Sequence, residues 1–282
     1  MIKLSSTPVE QYDGIYVKRE DLSTPSPGPS FSKIRGLIPV LERLKKEGYK
    51  TIGYTETSVS MAGWGVAWAC RELGLKAVIF DPQYKVTPDI LQYHREQWNK
   101  FNAIIVPIKA GMAKVNWNIS KTLIKEYEKP YLLSLGLPFK ETIDGAESEV
   151  KLTRANSMVD FSTIVVNVGS GTVCAGVIKG FCDKKIIGVM GRTGNVSKKK
   201  KKILDKAGFQ DGGLFGSPDF ELIDPGWEYT ERSEVDCPFP CHPWYDPNAW
   251  EWLTNNIQNL KTPVLFWNIG SLPNEFKERG LL

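Results

Sequence analysis

Six short runs of β-favouring apolar residues recur along this chain, at positions 51–54, 77–80, 103–108, 164–168, 186–190 and 263–267. Helical patterns fill several of the gaps between them, at 62–73, 88–101, 112–127 and 146–156. That alternation constrains the fold more than any other feature. A strand, a helix and a second strand close as a right-handed crossover, so repeated units give a largely parallel sheet. Runs this apolar have no polar face to offer water, so helices must cover both sides. The expected class is α/β, with open, mostly parallel sheets flanked by helices. A chain of 282 residues with 41% hydrophobic content can fill one large core or two modest ones.

The run ending at Val168 leads into the octet GSGTVCAG, residues 169–176, and then into a segment at 177–182 that can begin a helix. A strand, a small-residue turn and a helix start make an anion cradle, because successive backbone N–H groups and the helix dipole converge on one point. Gly171 lets the backbone come close to a guest, and Ser170 and Thr172 add hydroxyl donors. The expected guest is a phosphate, with an ordinary strand-to-helix connection as the alternative. The octet is neither a Walker loop, since no Gly-Lys-Ser/Thr ends it, nor a GxGxxG turn.

Near the other end of the chain, residues 16–37 read YVKREDLSTPSPGPSFSKIRGL. An extended stretch breaks at a Pro/Ser/Gly loop and resumes as a helix near Ser32, which leaves Lys33 in the elbow. A helix N-terminus disfavours an ammonium, and a desolvated lysine gains access to its neutral, nucleophilic form. Such a lysine can form a Schiff base. A plain surface lysine is the competing reading.

Charge and cysteine content narrow the setting. The N-terminal residues lack the apolar core of a signal peptide, and no stretch approaches the ~20 apolar residues of a membrane span, so a cytoplasmic protein with no membrane partner is expected. The odd set Cys70, Cys174, Cys182, Cys237 and Cys241 is expected to be reduced thiols. Cys237, Cys241 and His242 lack a fourth zinc ligand, and Pro238 and Pro240 make that stretch a rigid loop, so no metal is expected. Net charge is only +4. One run stands out, Lys198, Lys199, Lys200, Lys201 and Lys202, followed by Leu204, Ala207 and Phe209 at helical spacing. Five adjacent lysines cannot all face a core, so the run is a solvated helix start or flexible loop, or else attracts a polyanion such as DNA or a nucleotide.

Taken together, VKREDL, the loop leading to SKIRGL, and the distant GSGTVCAG resemble the fold-type II family of pyridoxal-phosphate (PLP) enzymes. Within it, the chain is most similar to the 1-aminocyclopropane-1-carboxylate deaminase and D-cysteine desulfhydrase branch. Residues 51–76 resemble that branch's strand, serine-bearing loop and helix. HPWYDPNAWEWL at 242–253 and VLFWNIGSLP at 264–273 resemble its tyrosine-bearing helix start and its last strand with a small-residue turn. The resemblance implies a large PLP-binding domain from residues 1–50 and 158–282 and a small domain from 51–157, with the cofactor between them. It also makes a homodimer the expected assembly.

The roles that follow are those the resemblance implies. Lys33 carries the cofactor, and the backbone N–H groups of Ser170, Gly171, Thr172 and Val173 take its phosphate. Asp246 or Ser271 faces the pyridine nitrogen, although Asp246 also suits an N-cap of a helix over 248–253. Tyr245 and Ser60 face the substrate as acid/base or nucleophilic groups and as a carboxylate contact. Tyr229, with Trp227 as a rival, stands for the branch's second tyrosine. Four departures bear on specificity. Ser30-Phe31-Ser32 replaces Gly-Gly-Asn before the lysine, Gly36 replaces a basic residue, Val173 replaces a threonine, and Met61 replaces the asparagine that contacts the cofactor, leaving Met61 against the substrate. Small residues at Ala62, Gly63 and Gly65 suggest a roomier pocket. Three readings stay open: a PLP-dependent lyase or deaminase acting at Cα of a small amino acid, a PLP-dependent decarboxylase or lyase acting on an amino-acid group attached to a nucleotide or DNA base, and a non-catalytic PLP-fold binding protein.

Overall fold

The computed structural model describes residues 2, 4–87, 89–209, 217–228 and 231–272. In chain order the strands are β1 (Val9–Tyr12), β2 (Ile15–Lys18), β3 (Ser30–Phe31), β4 (Thr51–Thr55), β5 (Lys76–Gln83), β6 (Ile104–Lys109), β7 (Pro130–Leu132), β8 (Thr163–Val168), β9 (Lys185–Met190), β10 (Phe220–Ile223), β11 (Val264–Trp267) and β12 (Gly270–Ser271). The helices are α1 (Ile34–Lys46), α2 (Ala62–Leu73), α3 (Asp89–Lys100), α4 (Ala113–Leu123), α5 (Lys140–Asn156), α6 (Thr172–Gly180), α7 (Val196–Ala207) and α8 (Asp246–Asn256). All six apolar runs are strands.

They form two sheets. One has the order β6-β5-β4-β7 and is parallel throughout. The other has the order β1-β2-β11-β8-β9-β10, parallel except for the hairpin between β1 and β2. Every residue of β4 and β8 is buried, as a strand covered on both faces requires. A short antiparallel ribbon pairs β3 with β12, setting Phe31 opposite Gly270.

Two helix starts lie well before the sequence expectation. Helix α6 begins at Thr172, inside the octet rather than at 177, because Gly171 adopts φ +78° and turns the chain directly from strand to helix. Helix α5 begins at Lys140 rather than 146, its first turns held by packing against α1. The apolar side of α1 (Ile34, Leu37, Leu41, Leu44) belongs to the core on the four-stranded sheet, whereas Ile143, Ala146 and Val150 of α5 belong to the core on the six-stranded sheet. The two helices thus cross between the cores, and the division into residues 1–50 with 158–282 and residues 51–157 stands as a proposal. The crossing explains Gly36. A Cβ there would lie 2.1 Å from Cα of Thr142 and 2.4 Å from its nitrogen, so no larger residue fits without moving backbone.

Gly36→Ala should therefore destabilise the fold by about 1–3 kcal/mol, the usual cost of overpacking against rigid neighbours. The urea midpoint of the variant measures it.

Candidate functional site

Lys33 is held in place from both sides. Before it, the Ser32 N–H donates to the Ile269 carbonyl at 3.0 Å, and the Ser32 hydroxyl donates to the Asn268 carbonyl at 3.4 Å. After it, the Arg35 guanidinium grips Glu20 with two bonds of 2.9 and 2.7 Å and also pairs with Glu149 at 3.0 Å. Glu149 in turn holds Lys18 at 2.5 Å. The charges of VKREDL are thus buried structure, a network in which each carboxylate meets a cation. Between these clamps Lys33 faces a cavity of about 240 Å³, lined also by Tyr54, Ser60, Met61, Asn167, Tyr245 and residues 169–174. No Asp or Glu lines that cavity. The Lys33 ammonium has no hydrogen-bond or ion-pair partner among the described residues, and burial, with Lys206 and Lys199 nearby, pulls it down to about 8.

The octet forms the opposite wall. Gly171 caps α6 in a left-handed conformation, and a Cβ there would meet Ile203 of α7 at 2.5 Å. The first amides of α6 are left for a guest. The hydroxyls are not. Those of Ser170 and Thr172 donate to the Gly136 carbonyl at 3.3 and 3.4 Å and lie 3.1 Å from each other, which ties the cradle to the turn after β7. The expected hydroxyl donors are therefore engaged elsewhere, and the cradle offers backbone. It also has a cation that sequence reasoning missed: Lys206 donates to the Ser170 carbonyl at 2.7 Å and approaches the Thr172 hydroxyl at 3.4 Å. The lysine run occupies the first turns of α7, with the Asn195 side chain accepting the Lys198 N–H at 2.8 Å, so the flexible-loop reading is overturned. Lys198, Lys201 and Lys202 are exposed, while Lys199 is half-buried.

The loop before α2 supplies the third wall through Thr57, Ser60, Met61 and Ala62. Ser60 lines the cavity, and its hydroxyl accepts the Ala62 N–H at 3.1 Å. Of the three small residues expected to make room, Ala62 lines the cavity, but Gly63 and Gly65 do not enlarge it. Gly63 and Gly65 lie outside the lining, and their space is taken by the Glu56 carboxyl at 2.2 Å and the Phe31 ring at 2.7 Å from a would-be Cβ. Glu56 closes the loop by accepting N–H groups from Thr57 at 2.9 Å and Gly63 at 2.7 Å. It has no ion-pair partner among the described residues, and burial pushes its carboxyl up to about 8. A carboxyl raised in the folded state gives stability that is full below its unfolded pKa near 4.5 and is lost as pH rises toward 8. Glu56→Gln should flatten that decline. Its urea midpoint is expected to match the parent's near pH 5 and exceed it near pH 8.

Tyr245 lines the cavity and lies against His242, ring centroids 4.5 Å apart. His242 was set aside at the sequence level as part of a loop, yet its ring is a cavity wall, held neutral because burial drops its pKa far below the ordinary value. Asn167 at the end of β8 was also missed. Its amide nitrogen donates to the Tyr245 carbonyl at 2.7 Å, while its buried Oδ1 has no partner among the described residues. Asp246 is the first residue of α8 and spends both carboxyl oxygens on the Ile269 N–H, each at 3.3 Å, rather than capping its own helix. It lies behind Tyr245 and Ile269, and burial raises its pKa well above the usual range. Ser271 is turned away. Its hydroxyl donates to the Leu272 carbonyl at 2.7 Å, and it lines a different cavity with Arg19, Asp21 and Trp64. Tyr229 lies outside the described residues. Among the described residues, no cluster of three His, Cys, Asp or Glu side chains is placed to hold a metal ion.

This donor set fits pyridoxal phosphate: helix-start amides for a phosphate, an unpaired lysine across the same cavity, and the unpartnered Oδ1 of Asn167 between them. The comparisons agree. The sequence profile of the pyridoxal-phosphate dependent enzyme family matches residues 3–203. A glycyl-dTMP PLP-dependent decarboxylase of Pseudomonas phage M6 is 37% identical over 95% of this chain and 99% of its own length. A biosynthetic L-threonine dehydratase of Haemophilus influenzae is 27% identical over 63% of this chain, which spans 33% of that relative. A crystal structure of a 1-aminocyclopropane-1-carboxylate (ACC) deaminase homologue superposes with a TM-score of 0.77 at 21% identity, covering 100% of this chain and 96% of that one. The chain belongs to the pyridoxal-phosphate dependent enzyme family, fold-type II, and its cofactor is pyridoxal 5′-phosphate.

If Asp246 is the partner of the ring nitrogen, its carboxyl would regain its charge on pairing, and Asp246→Asn should slow bond breaking at Cα by on the order of 10²-fold, while Ser271→Ala should change little. Single-turnover rates of the two variants decide between them, and the reverse order would assign the ring partner to Ser271.

Proposed function

We propose that this enzyme decarboxylates an amino-acid unit carried by a nucleotide. The observation that carries the reading is the end-to-end similarity to the phage glycyl-dTMP decarboxylase, at 37% identity over 95% of this chain. When bound, the cofactor supplies an electron sink for the pair released by a bond broken at Cα. Everything else falls to the chain.

Attachment to the cofactor would need a free α-amine on the substrate, and decarboxylation needs a free carboxylate. The amino-acid unit must then be joined to the nucleotide through Cα. The Cα–carboxylate bond breaks, carbon dioxide leaves, and a proton goes to Cα, so the product is a primary amine on the nucleotide. Lys33 is the group placed to deliver that proton from Nζ. With its pKa near 8 it holds and releases a proton around neutrality, as an acid/base group should.

The pocket supports loss of the carboxylate over its retention. Met61 and Ala62 stand where the deaminase branch has polar contacts, Phe31 and Leu135 extend the same apolar lining, and Lys33 is the one cation among the lining residues. A carboxylate set against that wall is poorly solvated, whereas the neutral product carbon dioxide is not penalised. A lyase or deaminase acting on a free small amino acid is the second reading, favoured by the likeness in fold to the ACC deaminase homologue.

A glycine unit joined through Cα to thymidine monophosphate should release one carbon dioxide and leave an amine, measured as trapped gas and as the matching mass loss. The kcat/KM for 1-aminocyclopropane-1-carboxylate should be lower by on the order of 10²-fold or more, since altered polar contacts switch substrates rather than trim rates. Efficient ring opening of that amino acid, with no carbon dioxide from the conjugate, would favour the second reading.

A further inference from the structure

We propose that Lys199 and Lys206 of α7 complete, with the amides of residues 170–173, a binding position for a phosphate monoester dianion, and that its occupant is the phosphate of the cofactor. The inference rests on the family's cofactor and is independent of the nucleotide-linked substrate.

Helix α7 presents Lys199, Ile203 and Lys206 at intervals of four and three residues, which puts them in one stripe along one face. Ile203 at the centre of the stripe is buried against Gly171, where a Cβ would be 2.5 Å away. That contact fixes which face of the helix meets the cradle, and so brings a lysine to either side of it. Lys206 reaches the cradle, bonding to the Ser170 carbonyl at 2.7 Å. Lys199 is half-buried, yet its ammonium has no hydrogen bond or ion pair among the described residues. Burial lowers the pKa of both, and each also feels the other or its neighbours as like charge: Arg192 and Lys202 for Lys199, Lys199 and Lys202 for Lys206. The Cys174 thiol and Asp224 are the groups that act in the opposite sense, and Asp224 already accepts from Thr193, Gly194 and Gly226.

Half-buried ammonium groups crowded together without a free carboxylate cost stability unless an anion joins them. The first amides of α6 point to the same place, and a helix start prefers a dianion there. Both lysines titrate below their ordinary value while no anion is bound, so phosphate binding would raise the pKa of each. Binding then takes up protons, and affinity falls as pH rises through the lysine range.

The test measures equilibrium binding of PLP to apoprotein by fluorescence quenching, alongside pyridoxal, which lacks the phosphate, and dTMP. Lys206→Gln removes the charge but keeps a donor for Ser170, Lys206→Met removes both, and Lys199→Met removes the second charge. Lys201→Met, on the exposed side of α7, is the control. Loss of PLP affinity by 10-fold or more in both Lys206 variants is expected, with a smaller loss in Lys199→Met and a shallower dependence on salt. Pyridoxal binding should be unchanged, and the phosphorus NMR shift of bound PLP should move. PLP affinity and phosphorus shift equal to the parent's in folded Lys206→Gln and Lys199→Met would overturn the proposal. A 10-fold loss confined to dTMP would also overturn the assignment to the cofactor, giving the position to a substrate phosphate instead.

Discussion

A lysine without a counter-charge must be held where it is, because left free it would swing out to water. Here the holding is done by the residues on either side of Lys33. Arg35 is locked to Glu20 and Glu149, and Ser32 is tied to the turn at 268–269. The ribbon of β3 and β12 carries the same constraint to Phe31. The buried Lys18–Glu149 pair makes that network continuous with the six-stranded sheet through β2. Removing Glu149 would strand the buried Lys18, whereas Arg35 keeps one partner when either Glu20 or Glu149 is lost, so the elbow is held by the network and not by one pair.

The cradle shows the same economy. Three separated parts of the chain meet at the octet: the Gly136 carbonyl takes the hydroxyls, Ile203 packs on Gly171, and Lys206 reaches the Ser170 carbonyl. The backbone amides are left over. A cavity walled on one side by those amides and on the other by Met61, Ala62 and Phe31 separates an anion-binding end from an apolar end. That polarity suits the proposed decarboxylation, with the cofactor's phosphate at the amide end and the substrate's carboxylate at the apolar end.

Much of this was legible in the sequence. The apolar runs of the parallel strands announced both sheets because buried parallel strands have no amphipathic disguise. Lys33 and the octet stood out through local chemistry, an elbow and a glycine-rich turn, and the structure brings them to one cavity. The hairpin β1–β2 and strands β7 and β10 are short, and β1 and β7 are half-exposed, so their pattern was weak. Lys199 and Lys206 could be placed on one helical face, but which face meets the cradle depends on Ile203 finding Gly171. The engagement of the Ser170 and Thr172 hydroxyls, the outward turn of Ser271 and the closing of the 57–63 loop by Glu56 all depend on partners distant in the chain or on local rotamers. Gly63 and Gly65 were misread for the same reason: a missing side chain marks space, and only the fold says who fills it.

The claim on which the account turns is that Lys33, among three lysines around one cradle, is the one that carries the cofactor. Borohydride reduction of the holoprotein fixes the cofactor to its lysine, and peptide mass mapping then locates it. The account predicts the added mass on the peptide containing Lys33 and none on Lys199 or Lys206. Label on either residue of α7, with Lys33 unmodified, would contradict it.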